Sequence, residues 1–170
     1  MNIAIFTNNY TTFGAGVPFA IRTFKKIAGK KHPIKIVAPN YRGSKKEKDI
    51  IRVPSIKHPG YDGFKIPMPF YLNAKEQVRK ASIDIVYVHH PFILGELGLK
   101  IAKENKLPIA FHYHTLYDRY AHYVPIEKSL AKLLIRKITA SFCNQCDLII
   151  APSRYVRDML VKRGIKKGLQ

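Results

Sequence analysis

The chain has 170 residues, 46% of them hydrophobic, which is enough to bury the core of one domain over residues 1–170. Its 30 basic and 11 acidic residues give a formal net charge of +19, spread over every segment. No run approaches the roughly 18 apolar residues of a membrane-spanning helix, and no signal peptide is recognisable at the N-terminus. We therefore expect a cytoplasmic globular domain with a positive surface field.

Apolar runs and helix signals alternate through the first half of the chain. Residues 2–7 are predicted to form a buried strand, and Pro18 opens a helix whose apolar side chains recur at helical spacing. A second strand is predicted over residues 34–38. The stretch 40–72 is rich in Gly, Pro and Lys, which predicts a long excursion with one strand at residues 50–54.

The second half repeats this alternation more regularly. Strands are predicted at residues 83–88, 108–111 and 148–151. Helices are predicted at residues 73–81, 92–105, 126–142 and 153–164, with Asn73 and Ser153 as N-terminal caps. Strands separated by helices indicate an α/β protein with a Rossmann-like open, mainly parallel sheet and helices on both faces. Ligands of such sheets bind beyond the carboxyl ends of the strands.

The loop after the first predicted strand contains Gly14 and Gly16 and leads into a helix. Glycines in that place let a phosphate approach backbone N–H groups at the helix N-terminus. The dinucleotide fingerprint is not met, because Phe19 stands in place of its third glycine and no acid follows the second strand. An NAD(P) oxidoreductase is therefore disfavoured, whereas an anion site and a plain tight turn both remain open.

Histidines collect at the ends of two predicted strands. His89 and His90 follow residues 83–88, while His112 and His114 follow the next strand and point to one face of an extended segment. Two such clusters at one sheet edge indicate a binding or catalytic site. Metal binding is the competing interpretation, but neither cluster contains Asp or Glu, so we expect no metal.

Cys143 and Cys146 are the only cysteines and have C-N-Q-C spacing. They lie at the end of a predicted helix, where the helix dipole disfavours the thiolate that a redox pair needs. Zinc would require two further ligands at suitable spacing, and the sequence offers none. We expect both cysteines to be structural.

The segment 115–124 places tyrosines, among them Tyr117 and Tyr120, beside Asp118 and Arg119. Aromatic faces with hydroxyl groups and charges suit recognition of a sugar or a lipid headgroup. Tyrosines that merely cover the core would give the same pattern, so both interpretations stay open.

Five stretches of the chain, in this order, resemble the N-terminal domain of GT4-type glycosyltransferases with the GT-B fold. They are MNIAIFTNNY, GAGV, DIVYVHHPFILGELGLKIAKENKLP, FHYHTLYDRYAHYV and CDLIIAPSRYVRDML. The resemblance covers essentially all of the chain and is closest to diacylglycerol glucosyltransferases and related glycolipid synthases. One departure is Gly14-Ala15-Gly16, where the family often has two adjacent glycines.

The resemblance implies roles for residues in these motifs. Gly14 and Gly16 would lie near the diphosphate of the donor. His114 would be the catalytic residue, which contacts the transferred sugar and stabilises the developing charge. The acceptor side would be lined by His90, Phe92, Thr115, Tyr117 and Tyr120.

The resemblance also implies a C-terminal domain that binds the donor, and we expect that domain to be absent from this chain. The chain is then the acceptor-binding half of a retaining glycosyltransferase, which moves a hexose from a nucleotide sugar such as UDP-glucose to a lipid or glycan hydroxyl. No cofactor is expected. We expect no transfer by the chain alone, and a separate polypeptide is a candidate source of the other half.

Two predicted helices carry basic residues at four-residue spacing. These are Arg22, Lys26 and Lys30 in the first helix, and Lys128, Lys132 and Arg136 in a later one. Each basic residue near an anionic bilayer contributes on the order of 1 kcal/mol, so both stripes are predicted to face a membrane. The alternatives are a nucleic-acid-binding module, disfavoured because the basic residues are dispersed, and a histidine-rich metal-binding module.

Overall fold

The computed structural model describes residues 1–11, 16–41, 47–58, 61–68, 72–123, 126–165 and 168–170. The strands are β1 (Ile3–Phe6), β2 (Ile34–Pro39), β3 (Ile50–Val53), β4 (Ser55–His58), β5 (Tyr61–Pro67), β6 (Ile85–Val88), β7 (Ile109–His112) and β8 (Leu148–Ile150). The helices are α1 (Val17–Ala28), α2 (Leu72–Lys80), α3 (Leu94–Glu104), α4 (Lys128–Cys143) and α5 (Arg154–Lys162), with a 3-10 helix at Tyr117–Tyr123.

Six of the strands form one sheet in the order β3-β2-β1-β6-β7-β8. Every pairing within it is parallel, whereas β4 and β5 form a separate antiparallel hairpin. The chain order runs outward from β1 in one direction and from β6 in the other. The predicted Rossmann-like architecture is therefore confirmed, and the order reverses between β1 and β6, where open α/β sheets bind their ligands.

Most predicted elements are present within a few residues of their expected ends. The hairpin of β4 and β5 was not predicted, because the Gly- and Pro-rich stretch that contains it carries no clear alternation. The prediction that Asn73 caps α2 is wrong, since the helix already includes Leu72 and the Asn73 side chain accepts a hydrogen bond from Gln77. Ser153 does cap α5, and its hydroxyl accepts a hydrogen bond from the backbone N–H of Val156.

Two hydrophobic cores lie on opposite faces of the sheet, as the alternation along β1 requires. Ala4 and Phe6 belong to one core, and Ile3 and Ile5 belong to the other. The first core receives buried side chains from four helices: Val78, Leu97, Phe142 and Leu160. The second core is covered by α1 through Ile21. The helices α1 and α4 therefore lie on opposite faces.

The two cysteines at the end of α4 are buried free thiols. Burial raises the pKa of Cys143 to about 12 and also raises that of Cys146. The Cys146 thiol donates to the carbonyl oxygen of Phe142 at 3.4 Å. Protonated, buried thiols of this kind match the predicted structural role.

No helix in the described part of the chain has both the length and the apolar character needed to cross a bilayer.

Two glycines of α3 allow it to pack closely against the carboxyl ends of β1 and β6. A Cβ atom at Gly95 would overlap the backbone carbonyl oxygen of His90, and one at Gly98 would lie 2.9 Å from the ring of Phe6. The close approach holds the segment between β6 and α3, which carries two of the histidines, against the sheet.

We expect Gly95→Ala to destabilise the chain by about 2 kcal/mol or more, because the carbonyl group that it meets cannot move without disturbing the turn. Gly98→Ala should cost less, since the Phe6 ring can shift and alanine gains up to about 1 kcal/mol in helix propensity. Urea unfolding measures both changes. Equal stability of Gly95→Ala and the unmodified chain would contradict the close packing.

Candidate active site

Three imidazole rings stack at the carboxyl edge of β6 and β7. The register that pairs Val88 with Phe111 brings His89 beside His112, and His114 lies on the same face two residues later. The ring centroids of His112 and His114 are 3.9 Å apart, and those of His89 and His114 are 4.9 Å apart. Nδ1 of His89 lies 2.7 Å from Nε2 of His114, which is a hydrogen-bonding distance.

The stack holds its histidines in the neutral form. His89 is only 1% exposed, and its pKa is held well below the ordinary value by burial and then by the charge of His114. Burial, with a smaller effect from His112, lowers the pKa of His114 to about 4. Near pH 7 these rings therefore act as hydrogen-bonding groups without a positive charge.

Tyr87 extends this network, although the sequence analysis did not single it out. Its hydroxyl oxygen lies 2.9 Å from Nδ1 of His112, and its ring centroid lies 4.5 Å from that of His89. Tyr87 precedes His89 by two residues in an extended strand, so the two side chains share a face. That spacing was a usable signal, because the alternation identifies which strand residues face the site.

His90 turns away from the stack toward the end of β1. Its Nδ1 accepts a hydrogen bond from the backbone N–H of Asn8 at 3.1 Å and lies 3.3 Å from the Thr7 hydroxyl. Burial and the charge of His114 lower the pKa of His90 to about 3. Sequence reasoning placed His90 on the acceptor side, whereas these contacts give it the role of joining β1 to the segment after β6.

Asn8 is a second residue of the site that the sequence analysis missed. Its side-chain amide donates to the carbonyl oxygen of Phe92 at 2.8 Å, and its side-chain oxygen accepts from the N–H of Leu94 at 3.1 Å. These two bonds bracket Ile93, which has a φ of +50°, a conformation that a β-branched residue rarely adopts. Asn8 thus stabilises the strained entry into α3 beside the histidines.

The predicted acceptor residues after the stack differ in their exposure. Tyr117 is 7% exposed, packs edge-on against Phe92 at 5.3 Å, and donates its hydroxyl hydrogen to the carbonyl oxygen of His89. The sequence analysis placed Tyr117 on the surface that lines the acceptor side. In the structure it is buried and supports Phe92 from below. Tyr120 is 53% exposed, and Thr115 is half-buried next to His114.

Gly16 directly precedes α1 and adopts a φ of +65°, in the region that favours glycine. Among the described residues, no atom beyond Gly16 and its chain neighbours lies within 4 Å of the position that a Cβ would occupy there, which leaves space for a ligand beside the backbone. No side chain in the described residues caps the N-terminus of α1. This geometry fits the predicted approach of a donor phosphate. Gly14 lies outside the described residues.

Among the described residues, the three stacked histidines are also the group that comes nearest to a metal site. Each offers one nitrogen atom, and these atoms lie within 4.8 Å of one another. However, Nδ1 of His89 and Nε2 of His114 point at each other across 2.7 Å, and the His112 ring lies face to face with the His114 ring, within 22° of parallel, so the three rings are not turned toward a common point. Metal binding would require the rings to rotate and the His89–His114 hydrogen bond to break.

The two predicted basic stripes are separated by the sheet. Lys26 and Lys30 lie on or next to α1, and Lys128 and Lys132 lie on α4, which packs on the opposite face. A single flat membrane cannot contact both helices by their outer faces. The prediction that both stripes serve one membrane surface is therefore replaced by a choice between them.

Comparison with known proteins identifies relatives along nearly the whole chain. The model of Glycosyltransferase Family 4 matches residues 19–168. The chain is 30% identical over 169 residues to the alpha-monoglucosyldiacylglycerol synthase of Streptococcus pneumoniae, covering 98% of this chain and 38% of that protein. The enzyme of the same name from Acholeplasma laidlawii is 28% identical over 172 residues, covering 95% and 43%. The chain thus spans about two fifths of the length of these relatives.

Solved structures show the same fold at low sequence identity. Sucrose-phosphate synthase from Thermosynechococcus elongatus matches with a TM-score of 0.64 and 11% identity, over 99% of this chain and 47% of that one. UDP-GlcNAc 2-epimerase from Methanocaldococcus jannaschii matches with a TM-score of 0.57 and 13% identity, over 98% and 43%. At these identities the likeness is one of fold, and it agrees with half of a GT-B architecture.

We expect the free energy of unfolding to fall as the pH drops from about 6.5 toward the folded-state pKa of His114, about 4. The reason is that the unfolded chain binds protons on histidines that the folded chain keeps neutral. His114→Gln removes one such group. The free energy of unfolding of this variant should therefore fall less steeply with pH, and the slopes of the two proteins should differ by about 1.4 kcal/mol per pH unit. Urea unfolding across this pH range tests the expectation, and parallel curves for the two proteins would contradict it.

Proposed function

The chain belongs to glycosyltransferase family 4, and on that premise we propose that it forms the acceptor-side half of a retaining glycosyltransferase. The reaction moves a hexose from a nucleotide sugar to a lipid or glycan hydroxyl. The bond from the anomeric carbon to the diphosphate breaks, a bond to the acceptor oxygen forms, and the acceptor proton passes to the departing phosphate. The names of the Streptococcus pneumoniae and Acholeplasma laidlawii relatives favour a lipid acceptor.

The observation that carries this proposal is the neutral imidazole stack at the switch point of a parallel sheet. His114 is partly exposed there, and its Nδ1 has no hydrogen-bond partner among the described residues. Nδ1 is therefore available to a sugar hydroxyl or a phosphate oxygen. A positioned donor of this kind stabilises charge that develops on the departing phosphate in the transition state.

The partner of His114 determines which of its nitrogens carries the hydrogen. Nε2 of His89 is buried and has no hydrogen-bond partner in the described part of the chain. An unpaired buried acceptor is tolerated better than an unpaired N–H, so the hydrogen of His89 is placed on Nδ1, which donates to Nε2 of His114. His114 then carries its own hydrogen on Nδ1 and presents a donor to the ligand.

Positioning and electrostatic stabilisation are the catalytic contributions that this edge of the sheet offers. The described residues of the stack include no carboxylate, and so no acid–nucleophile pair of the glycosidase type. Gly16, before the N-terminus of α1, adds a backbone site open to the donor diphosphate. The other wall of the cleft is expected from a donor-binding domain of the same family.

We expect His114→Ala to lower kcat by about 100-fold or more, the scale typical of losing a positioned donor. The assay uses the chain joined to a donor-binding domain from a family 4 relative, with UDP-glucose and diacylglycerol as substrates. His32→Ala is the matched control, because His32 lies between α1 and β2 at the opposite edge of the sheet. The fold should persist, since His114 lies at the rim and is partly exposed.

A different result would reassign the histidine. If His114→Ala lowered the melting temperature strongly and left the activity per folded molecule equal to that of His32→Ala, His114 would be a structural hydrogen-bonding residue.

We also propose that the chain works at an anionic membrane surface and contacts it through α4. The outward side of α4, together with Ile126 two residues before it, exposes large apolar side chains, each between 42% and 49% exposed: Ile126, Leu130, Leu133, Leu134 and Ile138. Contiguous exposed apolar side chains mark interaction surfaces. The other side of α4, toward the 3-10 helix and α5, carries Lys128, Lys132 and Arg136, and a helix with one apolar face and one basic face is typical of those that lie in a membrane interface.

We expect Leu130→Gln/Leu134→Gln to reduce binding to vesicles of phosphatidylcholine and phosphatidylglycerol by about tenfold or more, because two leucines no longer enter the acyl boundary. Phe19→Gln/Ile27→Gln is the control, since these side chains of α1 are 64% and 68% exposed on the opposite face. Sedimentation with vesicles measures the binding. A similar loss in both double variants would exclude α4 as the specific membrane contact.

A further inference from the structure

A cavity of about 420 Å³ opens between the 3-10 helix, α4 and α5, on the basic side of α4. Its lining is strongly basic. Asp118 is the one carboxylate among the lining residues, and the cationic ones are Arg119, Lys128, Lys132, Arg136 and Arg163. These six side chains therefore carry a formal net charge of +4.

Asp118 holds two of the arginines in fixed positions. Its carboxylate is almost fully buried and accepts hydrogen bonds from Arg136, at 2.8 and 3.0 Å, and from Arg163, at 3.1 and 3.2 Å. Burial alone would raise the pKa of Asp118, but these bonds outweigh burial and lower it below its ordinary value. Guanidinium groups fixed in this way retain further N–H donors and are pre-organised for a second anion.

The remaining cations have no such neutralisation. Within the described residues, the side chains of Arg119, Lys128 and Lys132 form no ion pair or hydrogen bond. Like charges gathered around one cavity repel one another, and an anion inside the cavity would relieve that repulsion. The cavity thus has the charge, the donors and the size for a group bearing a phosphate.

We propose that this cavity binds the phosphate of an anionic phospholipid headgroup, an inference that rests in part on the proposed membrane contact of α4. If the outward face of α4 lies at the acyl boundary, its basic side lies at the depth of the headgroups. The cavity is lined on that side by Lys128 and Lys132, and it also contains the apolar side chains of Leu116 and Met159. Guanidinium groups recognise phosphate with paired hydrogen bonds.

The same short helix joins this cavity to the imidazole stack. Asp118 lies in the cavity, and the preceding Tyr117 donates to the carbonyl oxygen of His89. A headgroup held in the cavity would therefore fix the 3-10 helix and the rim of the sheet at a set distance from the membrane surface.

The test compares two double variants that remove the same charge. Lys128→Gln/Lys132→Gln alters the cavity, and Lys26→Gln/Lys30→Gln alters the basic stripe on the opposite face. Binding of the full chain is measured with vesicles of phosphatidylcholine alone and with added phosphatidylglycerol. We expect the cavity variant to bind the anionic vesicles about 30-fold more weakly, from about 1 kcal/mol per basic residue at the surface, and the control variant less than threefold more weakly.

A second arm separates the lipid from a soluble phosphate compound. The melting temperature of each protein is measured with millimolar glycerol phosphate and no vesicles. If glycerol phosphate stabilises the unmodified chain and the control but not the cavity variant, while vesicle binding is the same for both variants, the ligand is soluble and the lipid assignment is overturned.

Two other results also overturn the proposal. Equal losses of anionic-vesicle binding in both variants would show a general effect of net charge. Absence of vesicle binding by the unmodified chain would remove the membrane contact and the lipid ligand together, and the imidazole stack would be unaffected by that result.

Discussion

Parallel pairing of β6 with β1 on one side and β7 on the other places three strand ends at a single edge of the sheet. Every feature of the candidate site depends on this alignment. It brings His89 beside His112 and lets His114 reach Nδ1 of His89. Antiparallel pairing would move the carboxyl end of one strand to the opposite end of its neighbour, a full strand length away, and no shorter-range interaction could reassemble the stack.

Holding several imidazoles together in a buried place has an energetic cost, since each ring must remain neutral as the pH falls. The surrounding structure offsets this cost through close packing and hydrogen bonds. Gly95 lets α3 approach the sheet, Asn8 stabilises the strained Ile93, and Tyr117 supports the His89 carbonyl group. These contacts hold the segment that carries His89, and Nδ1 of His89 in turn lies at hydrogen-bonding distance from Nε2 of His114.

The sequence predicted the architecture well because hydrophobic periodicity reports strands and helices directly. It also located His114, since strand ends in a parallel sheet are known once the strands are known. It was less informative about Tyr117 and His90, because each of these side chains could either bind a ligand or support the fold. In the structure Tyr117 is buried and packs beneath the site, and His90 forms a hydrogen bond with the backbone after β1 and lies apart from the three stacked histidines.

The sequence by itself determined the α/β class, the sheet edge that carries the histidines and the family, because these follow from local patterns and motif order. Only the tertiary structure decided which side chains meet. Asp118 contacts Arg163, and Asn8 forms hydrogen bonds on either side of Ile93, so both contacts join residues far apart in the chain. The two basic stripes likewise lie on opposite faces only because of how their helices pack. Such contacts depend on the crossing of several elements, and no local periodicity encodes where those elements cross.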